Sequence, residues 1–492
     1  MLFNSIEYFF FLPLVCLFYF LLPIKGRWVF LLVSSYFFYG YWKPEYIILI
    51  IFSTIIDYSA ALKIEHSKDF LWRKTWLIIS LCSNLGLLFT FKYFNFFNTV
   101  IADTFNLFNH SYTPPIVELL LPVGISFYTF QTLSYTIDVY KGELKAETNF
   151  IKFALFVSFF PQLVAGPIER AKHLLPQFDK TFAFNPERTV DGLVLIFWGL
   201  FKKVVIADSL ALITNQFFNN PEDSSSLDLI KAAYAFTFQI YCDFSGYSDI
   251  AIGSARILGY DIMENFNSPY LAKSISDFWS RWHISLSTWF RDYVYIPLGG
   301  NRKGKLKQNR NIFIVFFLSG LWHGANYTYI VWGLYHGTLL LLENLFQEIK
   351  KRISFNHKIA LLDNLETFFS TIFTFHLVVI GWIFFRASDL KKAWLILYKC
   401  YFAFSEIIQN GILKLSVLGV KWFFFTSYHP ETLQVRNVIP YFIILMLITE
   451  RYYKKVSIQK FYYIKVLMIA ILSVLMFVFG NTGGEQFIYF QF

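Results

Sequence analysis

Runs of apolar residues recur from one end of the chain to the other, with short polar interruptions between them; crossing a hydrocarbon core as a helix takes roughly 17–25 such residues. The pattern predicts an all-α polytopic membrane protein with about eleven transmembrane helices, accompanied by re-entrant or interfacial helices. The first run, Phe9 to Leu22, is preceded by Glu7 and by no Lys or Arg, and no small-residue cleavage site follows it. It is therefore read as a retained helix and not as a signal peptide. Lys25 and Arg27 follow this run, Lys63, Lys68, Arg73 and Lys74 follow the third, and the turn Trp42-Lys43-Pro44-Glu45 falls on the other side. Loop cations collect on the cytoplasmic face, so the N-terminus is expected outside the cytoplasm.

The interruptions change character along the chain. Residues 1–115 read as peripheral N-terminal helices with few polar positions inside the spans. From 116 to 346, Gly, Pro and polar residues break the apolar pattern repeatedly. Irregular backbone is tolerated at membrane depth only where protein buries it or where it lines a wet cavity, so the functional core is expected there. Residues 347–492 return to ordinary spans near Thr367 to Phe385, Pro440 to Ile448 and Ile464 to Phe479, separated by basic loops around Lys350 and Lys454. The three stretches are expected to form a single integral membrane domain. No polar stretch reaches the ~50 residues of a separate soluble domain.

Composition narrows the classes. Hydrophobic residues make up 56% of the 492 and charged residues only 15%, against ~45–50% and ~25% in soluble domains. The net charge of +10 comes from short loops beside the spans. That distribution suits orientation in a bilayer and contact with anionic lipid headgroups, and points away from nucleic acid. Cys16, Cys82, Cys242 and Cys400 are far apart in apolar surroundings, so neither a disulfide framework nor a metal site is expected.

Against this background two histidines stand out. Asn311 to Phe346 contains no Lys, Arg or Asp and no Glu before Glu343, yet it holds Trp322-His323-Gly324 about a dozen residues past Arg310. At 1.5 Å per helical residue that is on the order of half the membrane thickness. Ionisable groups at that depth mark chemistry or a conduction path by default, although a histidine bonded between helices is the alternative. The flanking Ser319, Gly320, Gly324, Ala325 and Asn326 let a ligand or another backbone come close. His283 lies among Trp279, Trp282 and Trp289 with Asp277, Arg281, Arg291 and Asp292. An amphipathic interfacial helix explains the aromatic and basic residues, whereas charges of both signs among tryptophans suit a lined cavity.

Further polar positions accompany them. Asp243, Ser245 and Asp249 sit in Tyr241-Cys242-Asp243-Phe244-Ser245-Gly246-Tyr247-Ser248-Asp249, where either carboxylate can line a cavity or orient a histidine. Gly246 and Gly253 are seven apart and suit close helix packing. Gln131 belongs to an earlier polar group with Tyr135 and Asp138, and Pro161 and Pro167 flank Ala165-Gly166 as in a broken helix. The run Asn301 to Arg310 carries five cations, which fix topology and can also attract a phosphorylated donor.

In order and joint presence, Phe160-Pro161-Gln162, Ala165-Gly166-Pro167, the Tyr241–Asp249 segment, Phe278-Trp279, Arg281-Trp282-His283, Trp289-Phe290-Arg291-Asp292-Tyr293, Leu321-Trp322-His323-Gly324, Gly381-Trp382-Ile383-Phe384-Phe385-Arg386-Ala387 and the C-terminal Phe487-Ile488-Tyr489-Phe490-Gln491-Phe492 resemble the membrane-bound O-acyltransferase family. The likeness runs essentially the whole length. It implies a ring of helices with a central funnel on the outer side and a tunnel to the cytoplasm. It assigns the catalytic histidine to His323 and the second characteristic one to His283. Gln131, Asp243, Ser245, Asp249, Trp279, Arg281, Trp282, Arg291, Trp322, Gly324 and Asn326 are the expected substrate- or tunnel-lining residues.

The implied activity is passage of an acetyl group from cytoplasmic acetyl-CoA across the bacterial inner membrane, for O-acetylation of an exported polysaccharide such as alginate. No permanently bound cofactor is expected, and a periplasmic or extracellular acetyltransferase of the SGNH type is the expected partner. Peptidoglycan or another cell-wall glycan as acceptor, or D-alanyl transfer to teichoic acid, keeps the same architecture. A transporter with a histidine proton relay is the reading from another class.

Overall fold

Every regular element among the described residues is helical, because a backbone surrounded by apolar side chains must close its hydrogen bonds within its own segment. The computed structural model describes residues 1–110, 112, 113, 115, 117, 120–352, 360–409, 433–453, 462–481, 487 and 488. The boundary at residue 116, the basic loop at Lys454 and the end of the C-terminal aromatic motif lie outside them. Four described helical stretches are long and apolar enough to cross a membrane: Pro44–His66, Phe70–Leu107, Asn364–Arg386 and Tyr462–Phe479. The number eleven rests on the sequence pattern alone.

Met1–Ile196 with Tyr247–Glu264 form one compact unit. It contains α1 (Ile6–Leu21), α2 (Ile24–Gly40), α3 (Ile47–His66), α4 (Phe70–Leu88), α5 (Phe94–Leu107), α6 (Ile125–Lys141), α7 (Phe150–Ser158), α8 (Phe160–Leu163), α9 (Ala171–Phe178) and most of α10 (Pro186–Leu200). In α1, Tyr8, Phe11, Leu12, Val15 and Tyr19 repeat at helical spacing and are buried, while Phe9, Phe10, Leu14, Leu17, Phe18 and Leu21 are exposed. A helix apolar on its outward face as well is matched to lipid. The proline-flanked segment leaves helical geometry at Phe159 and again from Val164 to Arg170. There the Phe160 N–H donates to Ser35 Oγ at 3.1 Å. The Phe156 carbonyl, released from that partner, accepts from the Gln131 and Gln162 amides at 2.6 and 2.9 Å.

Phe197–Gly246 with Asn265–Phe492 form the second unit. Its helices are α11 (Asp208–Asn219), the Ser226–Gly246 part of α12 (Ser226–Leu258), α13 (Ile275–Arg281), α14 (Ile284–Phe290), α15 (Lys305–His323), α16 (Tyr327–Arg352), α17 (Ala360–Arg386), α18 (Leu390–Gln409), α19 (Leu433–Tyr453) and α20 (Tyr462–Phe479). Trp282, Trp332 and Trp382 are its largest fully buried side chains. Gly246 and Gly253 both serve packing, each inside its own unit. A Cβ on Gly246 would stand 2.6 Å from the Gly199 carbonyl oxygen, and one on Gly253 2.5 Å from that of Gly192.

The first unit also holds a charge that hydropathy alone does not explain. Asp57 of α3 is fully buried. Ser80 Oγ donates to it at 2.6 Å, and Asn84 Nδ2 donates to both its oxygens at 2.9 and 3.0 Å. Both donors come from α4, so the carboxylate ties two helices together where lipid supplies no hydrogen bonds. Asn84→Ala is expected to lower the unfolding free energy in detergent by about 1–3 kcal/mol. An unchanged unfolding midpoint would show that this carboxylate does not depend on the amide.

Candidate active site

Helix α15 delivers His323 at its last residue, and a close crossing with α16 sets where that residue ends up. A Cβ on Gly320 would collide with the Tyr329 carbonyl and one on Gly333 with the Phe316 carbonyl, so these glycines let the two backbones meet. Gly324 likewise leaves room for the Tyr329 ring. Asn326 starts α16, its Oδ1 accepting from the Thr328 N–H at 3.0 Å while its Nδ2 donates to the Ser388 carbonyl at 2.9 Å. His323, 3% exposed, is thereby set among Trp322, Trp332 and Phe385, with ring centroids 4.9, 4.9 and 5.2 Å away.

His283 is placed by a strained turn. It links α13 to α14 with φ +44° and ψ +55°, a left-handed conformation that costs a non-glycine residue about 1–3 kcal/mol. Its carbonyl accepts from the Leu286 and Ser287 N–H groups at 3.0 Å each. Asn265 clamps the same turn: its carbonyl accepts from the Ile284 N–H at 2.9 Å and its Oδ1 from Ser285 Oγ at 2.6 Å. The imidazole, 1% exposed, stands edge to face with Phe244 at 4.7 Å and with Trp322 at 6.0 Å. Trp322 therefore touches both histidines. Backbone strain held in place by surrounding bonds is found preferentially at functional positions.

The other expected residues divide into four groups. Trp279 and Trp282 join the aromatic wall, Trp279 at 5.6 Å from Trp332 and Trp282 at 4.8 Å from Trp382. Arg281 pairs with Asp277 at 2.7 Å. Burial pushes the Asp277 carboxyl up, but the Arg281 guanidinium and the Lys273 N–H outweigh it and hold its pKa below the ordinary value. Arg291 is exposed and reaches Asp292 at 2.8 Å. Gln131 and the half-buried Asp249 belong to the first unit.

Asp243 and Ser245 enter a buried ionic network around the π-helical stretch Phe201–Ala207. Lys203 Nζ lies 2.7 Å from Asp208 and 2.9 Å from Asp243, whose second oxygen accepts from the Ile488 N–H at 2.7 Å. Lys202 donates to Ser245 Oγ at 2.9 Å and sits 3.7 Å from Glu450, which also accepts from the Tyr241 hydroxyl at 2.6 Å. The sequence reading missed Lys202, Lys203, Asp208 and Glu450. Two lysines inside the apolar run Val194 to Ile206 were the available signal. Trp332 and His336, in the same run Asn311 to Phe346 as His323, were also not among the expected residues.

The described elements are thus helical, with an imidazole buried at the end of α15 among aromatic rings. Residues 56–385 match the family described as MBOAT, membrane-bound O-acyltransferase. The chain belongs to that family and is an O-acyltransferase of membranes that draws on an acyl donor. It is 40% identical over 450 residues to the probable alginate O-acetylase of Pseudomonas aeruginosa, covering 88% of this chain and 83% of that one. It is 37% identical to the peptidoglycan O-acetyltransferase of Helicobacter pylori, over 80% and 78% of the two chains. With the teichoic acid D-alanyltransferase of Bacillus subtilis the identity is 33%, over 60% of this chain and 78% of that one.

Replacing Lys203 by Met would leave the buried carboxylates of Asp208 and Asp243 without their shared cation. The expected loss is about 3–5 kcal/mol, the usual cost of breaking a buried pair from one side. It is read as a drop in the unfolding midpoint of the solubilised protein, and an unshifted midpoint would show that the network contributes nothing to stability.

Proposed function

We propose that the chain is an O-acetyltransferase of the bacterial inner membrane, with its N-terminus outside the cytoplasm. It moves the acetyl group of cytoplasmic acetyl-CoA onto a hydroxyl on the outer side, for O-acetylation of an exported polysaccharide such as alginate. The observation that carries this reading is His323 buried at the end of α15, sharing the Trp322 ring with His283.

The steps follow from the chemistry of a thioester. An acceptor hydroxyl approaches His323, whose ring nitrogen takes the proton as the oxygen attacks the thioester carbonyl. The tetrahedral intermediate collapses, the C–S bond breaks, and the thiolate leaves with the proton that His323 had accepted. An imidazole suits both transfers because its ordinary pKa of about 6.5 lies near neutral pH. His283, fixed by its turn, positions the reacting groups or steadies the developing charge. The acceptor is a hydroxyl of the polysaccharide or of a periplasmic SGNH-type acetyltransferase that completes the transfer. Arg302 and Lys303, exposed in a turn held by the left-handed Gly299, Gly300 and Gly304, and Lys305 and Lys307, exposed in the first turn of α15, supply charge for the phosphates of coenzyme A.

Acetyl is favoured over D-alanyl as the group carried, because the two O-acetylating relatives above match more of this chain than the D-alanyl-transferring one does. The test uses membrane vesicles containing the full chain with acetyl-labelled acetyl-CoA. Wild type is expected to transfer label to exported glycan, whereas His323→Ala should lose about 10²–10⁴-fold, the usual contribution of a general base, while still inserting and running as a monodisperse species in detergent. Near-normal transfer by that variant would remove His323 from the chemistry. Label moving only from carrier-bound D-alanine would overturn the choice of donor.

A further inference from the structure

His336 lies on α16, one helical turn beyond Trp332, and is fully buried. Neither ring nitrogen has a hydrogen-bond partner among the described residues. Its ring meets the Trp279 indole at 5.0 Å and 88°, the Trp332 indole at 5.1 Å and 68°, and stacks at 11° on Phe278 at 6.4 Å. The same Trp332 indole meets His323 at 4.9 Å and 84°. Trp332 is thus in edge-to-face contact with two imidazoles. Behind His336 stands α17, where a Cβ on Gly381 would lie 2.7 Å from Nε2 and 3.3 Å from Cε1.

Filling space does not account for a histidine here. Burying two nitrogens without partners is costly, and an apolar side chain would avoid that cost. An aliphatic side chain, however, lacks the flat edge that gives aromatic pairs their preferred geometry. A phenyl ring is larger than an imidazole, and the imidazole already leaves no room for a Cβ on Gly381. Imidazole is the smallest aromatic side chain, and it fits between the Trp332 indole and Gly381.

We propose that His336 is a positioning residue for acyl transfer: backed by Gly381, its ring braces Trp332, and Trp332 fixes the orientation of the His323 ring. The proposal rests on the reading of His323 as the general base. It gives the Gly381-Trp382 segment a task, with Gly381 behind His336 and Trp382 stacked on Trp332 at 6.0 Å and 21°. A reacting nitrogen must be held close to its productive position, and a displacement of about 1 Å can cost on the order of 10²-fold in rate.

The test follows free-thiol release from acetyl-CoA by the full-length protein in inverted membrane vesicles that also hold the exported glycan. His336→Ala and Gly381→Ala are each expected to lower kcat by roughly 10- to 100-fold and to leave KM for acetyl-CoA within about twofold, because the bracing acts on the reacting geometry and not on donor binding. His336→Asn keeps a polar group without the ring and should fall with His336→Ala. The double variants His336→Ala/Gly381→Ala and His336→Ala/Trp332→Phe should be no worse than the poorer single, since both changes break one brace. Thermal unfolding of each variant in detergent identifies any that fail to fold, and Trp332→Phe provides a milder probe of the same brace with the same expected loss of kcat.

A His336→Ala variant with near-normal kcat, activity preserved by His336→Asn, or losses that multiply in the doubles would each overturn the proposal. If His323→Ala is inactive while His336→Ala is near normal, only the bracing fails. If His323→Ala itself retains transfer, the reading of His323 fails and the bracing falls with it.

Discussion

A polar group surrounded by hydrocarbon must find its partner inside the protein, because lipid offers none, and this constraint shapes both units of the chain. Asp57 draws on Ser80 and Asn84. The Phe156 carbonyl, released where α7 breaks, is met by two glutamine amides. Lys203 is shared by two carboxylates, and Lys202 by a serine and a glutamate. In water each of these contacts would add little, since solvent competes for the same groups. At membrane depth the alternative to the contact is an unsatisfied group, so the contacts decide which helices lie together.

The same constraint gives the histidines their significance. His283 and His323 are placed by unlike means: a left-handed turn clamped by Asn265 for one, and a helix end set by a glycine crossing for the other. Both arrive on the Trp322 ring. A cage of aromatic residues surrounds each imidazole, Phe244 and Trp322 around His283 and Trp322, Trp332 and Phe385 around His323. Such a cage excludes water, and a dry setting strengthens any charge–dipole interaction inside it. Rigid, wide aromatic side chains suit this task because they lose little conformational freedom on burial while covering much surface.

The ionic network around Phe201–Ala207 has a different character. A π-helical stretch widens the helix by one residue per turn and is found often near functional sites. Here it carries Lys202 and Lys203 toward Asp243 and Ser245 of α12, and Asp243 in turn holds the Ile488 N–H. Asp243 and Ser245 were expected to line a passage. Their hydrogen bonds and ion pairs tie together the π-helical stretch, α12, α19 and residue 488, so the aspartate's visible work is to join segments distant in sequence.

Hydropathy along the chain was enough to establish helices, a membrane setting and the stretch richest in polar interruptions, because the period and length of apolar runs are local properties of neighbouring residues. His323, His283 and the tryptophans beside them were legible for the same reason: charge and aromatic density inside an apolar run are visible without a fold. What sequence left undecided is which distant residues meet. Nothing local to Lys202 or Lys203 names Ser245, Asp208, Asp243 or Glu450 as partners, and nothing near Gly381 names His336. Those pairings depend on helix crossings in which a missing Cβ, or one extra residue in a turn, moves a side chain by several ångströms, and only the tertiary structure fixes them.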